Sequence, residues 1–171
     1  MTITDELFRR DGYLKECNAV VVTAHDGVIV TDQTVFYPEG GGQPGDTGWM
    51  MGTDGREFVV TDTQKDAETG EQQHRLSTDF DLPAVGETVT LKLDWERRYR
   101  LMRMHSCMHM LCAAIPAPVT GGSIQDGRGR LDFDLPDPVD KEEVTDRLNA
   151  LIAQDSSMQM RWISDEELAD K

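Results

Sequence analysis

The sequence predicts an α+β chain. A small β-barrel-like unit spans residues 1–93, and an α/β unit opening on a long helix spans 94–171. Two observations carry this reading. In the first half, short apolar runs alternate with Gly and Asp turns, and Val89, Leu91 and Leu93 share one face of a period-2 pattern. At Asp94 the period changes. Leu101, Met104, Met108, Leu111 and Ile115 then recur at three- and four-residue steps, as one buried helical stripe would.

Residues 18–24 form a β-branched run, His25-Asp26-Gly27 turns the chain, and 28–31 resume the extended pattern. Residues 56–61 read as a short strand entered through Asp54-Gly55, 64–73 as a polar hairpin loop, and 85–94 as a further strand. Asp94 is the expected N-cap of the long helix, Glu96 suits its positive end, and Pro116 stops it after about 20 residues, roughly 30 Å. Residues 121–124 and 129–135 read as two strands joined through 125–128. Asp137-Pro138 opens a second helix running to Ala153, with Val144, Leu148, Leu151 and Ile152 as its apolar face. Residues 158–163 read as a strand. Ser164 then caps a helix with an acidic first turn, which the chain leaves at Lys171 as though unfinished.

The length allows one good core or two small packed domains. No stretch approaches the roughly 20 apolar residues of a membrane span, and the polar N-terminus lacks a signal-peptide pattern. Three cysteines, an odd number, do not form a disulfide scaffold, so a cytoplasmic protein is expected. A net charge of −15, from 17 basic and 32 acidic residues, excludes nonspecific nucleic-acid binding through the whole surface. It leaves room for a local basic patch: Arg97, Arg98, Arg100 and Arg103 cluster beside the histidines, although consecutive positions point around the helix rather than along one stripe.

His105 and His109 lie four apart on the predicted helix, so both imidazoles can reach one ion. Taken alone, the spacing fits either a zinc site or two idle boundary histidines. Cys107 points about 160° to 200° away round the helix. Cys112 shares the right face but lies about 10.5 Å of rise from His105. His25, His74 and Cys17 belong to the β half. Ser106 stands where a metalloprotease needs its glutamate, which removes the protease reading, and Cys107 faces the wrong way for a Cys–His nucleophile. Upstream, Gly40-Gly41-Gly42-Gln43-Pro44 lacks the Gly-Lys-Ser/Thr of a phosphate loop. Its bare backbone suits either a tight turn or close approach to a neighbouring domain or substrate.

Residues 31–44, Asp94-Trp95-Glu96-Arg97-Arg98, 104–109, Gly122-Ser123 and Arg130-Leu131-Asp132-Phe133 together resemble the alanyl-tRNA editing proteins of the AlaX type, medium-length subgroup. These are relatives of the editing domain of alanyl-tRNA synthetase, an ATP-binding enzyme. The resemblance implies an editing-type α/β domain that hydrolyses the aminoacyl ester of alanine tRNA mischarged with serine or glycine, with tRNA as partner. It also implies zinc held by His105 and His109 together with a Cys and a His from a later Cys-x-x-x-His motif. This sequence contains no such motif, so those ligands are expected beyond Lys171, with weak zinc binding and little activity in residues 1–171. Gly40, Gly41, Gly42 and Gln43 are expected at the substrate or at the domain interface, with the glycines facing the histidine helix. Thr120 stands where the synthetase domain tends to carry glutamine, beside the substrate. Two other readings stand beside the enzyme: a noncatalytic tRNA-binding or synthetase-associated module, and a structural metal-binding α/β domain.

Overall fold

Turn residues divide the first half into strands. In the computed structural model, which describes residues 4–79, 81–157 and 161–169, Asp26 and Gly27 both adopt positive φ between β2 (Glu16–His25) and β3 (Val28–Thr31). Two-residue strands β1 (Asp5–Glu6) and β4 (Gln33–Thr34) pair in parallel beside a 3-10 turn, Leu7–Arg9. With β5 (Gly48–Gly52), β6 (Glu57–Lys65), β7 (Gln72–Leu76) and β8 (Thr88–Leu93), the longer strands close a barrel in the order β2-β3-β7-β6-β5-β8. Every barrel pairing is antiparallel, and β8 returns to β2, so the barrel itself leaves no strand edge open among the described residues.

The barrel interior holds Val21, Ile29, Phe36, Met50, Val60, Val89 and Leu91, all buried. Val89, Leu91 and Leu93 do point inward together. A Cβ at Gly48 would lie 2.2 Å from the Lys92 carbonyl oxygen, so β5 and β8 can approach this closely only with glycine there.

The hairpin loop expected over 64–73 is shorter, 66–71, because β6 continues to Lys65 and β7 begins at Gln72. Hydropathy concealed both strand ends, since the buried side chains there are the polar Thr63, Gln72 and His74.

Helix α1 (Trp95–Ala114) begins one residue after Asp94, whose side chain accepts from the Arg97 N–H at 3.1 Å, and it ends before Pro116. β9 (Val119–Gln125) and β10 (Arg128–Phe133) form an antiparallel hairpin that packs on α1, as does α2 (Lys141–Ala153). Of the expected α1 stripe, Leu101 and Ile115 are buried. Met104, Met108 and Leu111 stay half-buried, since among the described residues a two-stranded sheet and one helix cover that face. α2 starts later than Asp137-Pro138 because Asp140 is its cap, accepting from the N–H groups of Glu142 and Glu143. Of the strand expected over 158–163, residues 158–160 lie outside the described set, and 161–163 pair with no strand among the described residues. α3 (Asp165–Ala169) follows a reciprocal Ser164–Glu167 cap. No helix among the described residues is long and apolar enough to cross a membrane.

Candidate active site at the histidine helix

The four-residue spacing on α1 sets the His105 and His109 rings one above the other, 5.0 Å between centroids and 10° from parallel. His105 Nδ1 lies 3.0 Å from Gln43 Oε1. An amide oxygen only accepts, so Nδ1 carries the proton and Nε2 is the bare nitrogen of a neutral ring. Burial, and next the neighbouring His109, hold the His105 pKa below the ordinary histidine value.

Gln43 reaches His105 because the segment before it closes a tight turn. Gly40 and Gln43 exchange both backbone hydrogen bonds at 3.0 Å. Gly41 and Gly42 between them have φ of 57° and 76°, a pair that glycine adopts without strain. The turn then touches two elements. A Cβ at Gly41 would sit 3.6 Å from His105 Cε1, and one at Gly42 would sit 3.3 Å from the Gly122 carbonyl oxygen. The Ile124 N–H donates to the Gly42 carbonyl at 2.8 Å, tying the turn to β9.

A second anchor holds the base of the helix to the same segment. Arg98 Nη1 donates to Asp46 Oδ2, and both side chains are almost wholly buried. Asp46 Oδ2 also accepts from the Tyr37 N–H at 2.7 Å, and Arg97 Nη1 donates to the Gly45 carbonyl at 2.8 Å. Burial raises the Asp46 pKa, opposed chiefly by the Arg98 charge. Sequence reasoning missed this pair. Its signal is a lone carboxylate inside a glycine-rich segment, matched by an arginine in the first turns of α1.

Between turn, helix and hairpin lies a cavity of about 470 Å³, bordered by Gly41, Gly42, His105, His109, Cys112 and Thr120. Gln43 lies behind His105 rather than on the cavity wall, and Gly40 closes the base of the turn. Thr120 is exposed at the rim, its hydroxyl donating to the Asp132 carbonyl at 3.2 Å.

Two imidazoles fit half of a tetrahedral zinc set, and Cys112 borders the same cavity. Among the described residues, no three His, Cys, Asp or Glu side chains gather closely enough to hold a metal. The histidines of the barrel are placed elsewhere. His74 is sealed in the core, its ring nitrogens 2.8 Å from Thr34 Oγ1 and 3.1 Å from the Ile29 carbonyl, and His25 is exposed beside Asp26. Cys17 lies in the barrel wall, where burial pushes its thiol up to about 11.

The candidate arginines do not gather into one free patch. Arg98 is buried against Asp46, Arg97 is spent on a carbonyl, and Arg100 grips both Asp126 oxygens, at 2.6 and 2.7 Å. Consecutive helical positions face different neighbours, so four nearby arginines do not form one surface.

The family model of class II (A) tRNA synthetases matches residues 9–97, that is, the barrel and the first residues of α1. Over 169 residues, 96% of the chain, 32% are identical to the alanyl-tRNA editing protein AlaX-M of Saccharolobus solfataricus, covering 71% of that protein. The AlaX-M of Methanosarcina mazei is 36% identical over 182 residues, 99% of this chain and 71% of the relative. The alanine–tRNA ligase of Ignicoccus hospitalis is 37% identical over 147 residues, 82% of this chain but 16% of the ligase. The likeness thus continues through the glycine turn, the histidine helix and the hairpin, and the chain belongs to the alanyl-tRNA editing family of the AlaX-M type.

Proposed function

We propose that the protein is a trans-editing hydrolase that cleaves the aminoacyl ester of alanine tRNA mischarged with serine or glycine, with zinc at the histidine cavity. The observation that carries this reading is the meeting of the glycine turn and His105 and His109 around one space of about 470 Å³. Small-molecule sites commonly occupy about 300–1,000 Å³. His105 and His109 would hold the zinc, which when bound supplies a Lewis acid for an ester carbonyl or for water.

The chain's own residues supply the remainder. Gln43 fixes the tautomer of His105 with the proton on Nδ1 and the lone pair on Nε2. The Gly41 and Gly42 N–H groups have no acceptor among the described residues, and both glycines border the cavity. They offer backbone donors to the oxyanion that forms as the ester is attacked. The Thr120 hydroxyl donates to the Asp132 backbone carbonyl and keeps a lone pair for the substrate's hydroxyl or amine. Met108 and Leu131 supply apolar wall that limits water. Such a role places the protein with translation, in the cytoplasm.

Alanine tRNA charged separately with serine, glycine and alanine tests the proposal. With zinc supplied in enough excess to fill a weak two-histidine site, serine or glycine should be released slowly but above the spontaneous rate, and alanine should be spared. Background release from all three would overturn it. One observation favours a second reading, a tRNA-binding module without hydrolysis: no third metal-type side chain joins the histidines among the described residues. That reading expects tRNA binding with no release.

A further inference from the structure

We propose that the outward face of the β9–β10 hairpin, carrying Ser123, Gln125, Arg128 and Arg130, is a binding site for the phosphate backbone of the tRNA acceptor end. The proposal rests on the functional reading above and locates its polyanion contact.

Strand register defines the face. Ser123 pairs with Arg130 and Gln125 with Arg128, so all four side chains emerge on one side of the hairpin. The alternate row, Gly122 with Leu131 and Ile124 with Gly129, turns toward α1. There Ile124 is buried, and a Cβ at Gly129 would lie 2.8 Å from Met108 Sδ and 3.0 Å from Met104 Sδ. One row therefore holds the hairpin to the helix, and the other is left to solvent as two guanidinium groups, a hydroxyl and an amide around a cavity of about 160 Å³.

The charge of this face is out of character for the chain. In a protein of net charge −15, Arg128 makes no ion pair or side-chain hydrogen bond with any described residue. Arg130 meets Asp132 at 3.2 Å, but both side chains are largely exposed, at 65% and 47%, and such a pair gives way readily to a phosphate. Guanidinium forks match phosphate oxygens, while hydroxyl and amide donors suit the remaining backbone contacts.

Position supplies the link to the reaction. β9 is shared: Val119 to Gly122 border the histidine cavity, and Ser123 and Gln125 border the basic one. At about 3.4 Å per residue the two sites lie within roughly 10 Å along one strand. An ester held beside His105 would thus leave its nucleotide backbone running along the hairpin.

The test is equilibrium binding of deacylated alanine tRNA across a salt series, by fluorescence anisotropy. It compares the wild-type protein with Arg128→Gln/Arg130→Gln and with Arg75→Gln, an exposed barrel arginine, as control. The double variant should bind about tenfold or more weakly near 0.1 M salt, and its log Kd against log salt should be flatter by about 1 to 2 units, while the control matches wild type. Arg128→Glu alone should weaken binding in the same direction, which keeps the proposal testable if the double variant misfolds. Unchanged affinity and slope in a folded variant would overturn the hairpin assignment while leaving tRNA as substrate. Failure of the wild-type protein to bind tRNA at all would overturn the functional reading with it.

Discussion

The Gln43 side-chain oxygen lies 3.0 Å from His105 Nδ1, and this bond ties the glycine turn of the barrel segment to the histidine helix. Gln43 is 4% exposed, so the acceptor is fixed in place rather than shared with water. A histidine whose Nδ1 proton is so held presents Nε2 as its only lone pair.

Gln43→Leu should therefore lower deacylation by about 10- to 100-fold, the usual cost of removing a hydrogen-bond partner of a ligating histidine. Gln43→Glu, which keeps an acceptor at the same place, should retain much more. Ring 15N shifts of His105 report the tautomer directly. A Gln43→Leu protein with wild-type rate and an unchanged Nδ1–H signal would show that the bond is incidental.

The Arg98–Asp46 pair should be costly to break on one side. Arg98→Met would leave a buried carboxylate without its cation, an expected loss of about 3–5 kcal/mol in urea unfolding. Asp46→Asn combined with Arg98→Met should recover part of that loss, because Asn still accepts from the Tyr37 N–H. Equal losses in the single and double variants would deny the coupling.

Acid should destabilise the barrel through His74. Burial lowers its pKa to about 4, below the unfolded value near 6.5. Between those values the unfolded chain binds more protons, so stability present above pH 6.5 is lost as pH falls toward 4, by up to about 3 kcal/mol. His74→Gln should flatten that part of the stability–pH curve. A variant curve as steep as the wild-type one would assign the acid sensitivity to other groups.

Zinc should bind the 171-residue chain weakly through His105 and His109. Two protein ligands should fall well short of the roughly 10–16 kcal/mol of a full structural site. Titration calorimetry should show this weak binding disappear in His105→Ala. Tight, stoichiometric zinc that is weakened by Cys112→Ser would contradict the two-ligand account and recruit the cysteine bordering the cavity.

Local signals made part of this structure legible. Asp94 as a cap and Pro116 as a stop bracket α1 within two residues of its observed ends. Three glycines in a row mark the turn, because positive φ at Gly41 and Gly42 is a backbone demand written directly in residue type. Polar groups buried by long-range pairing were not legible. Nothing beside His74 in the sequence marks it as buried until Thr34 and the Ile29 carbonyl enclose it, and nothing beside Arg98 separates it from Arg97 and Arg100 until Asp46 receives it. β5 was hidden for another reason. Its Trp49-Met50-Met51 core is flanked by Gly48 and Gly52, which hydropathy reads as loop; close packing against β8 requires the first, and the Asp54 and Glu87 carboxylates crowd the second.

The most direct test of the central claim is the rate at which the zinc-supplemented protein releases serine from mischarged alanine tRNA, compared with its His105→Ala/His109→Ala variant. The account predicts hydrolysis by the wild-type protein and a loss of about 100-fold or more in the variant, with tRNA affinity retained because the proposed backbone contacts lie on the hairpin. Release by the folded variant at the wild-type rate would contradict it, since the ester would then be cleaved somewhere other than the histidine cavity.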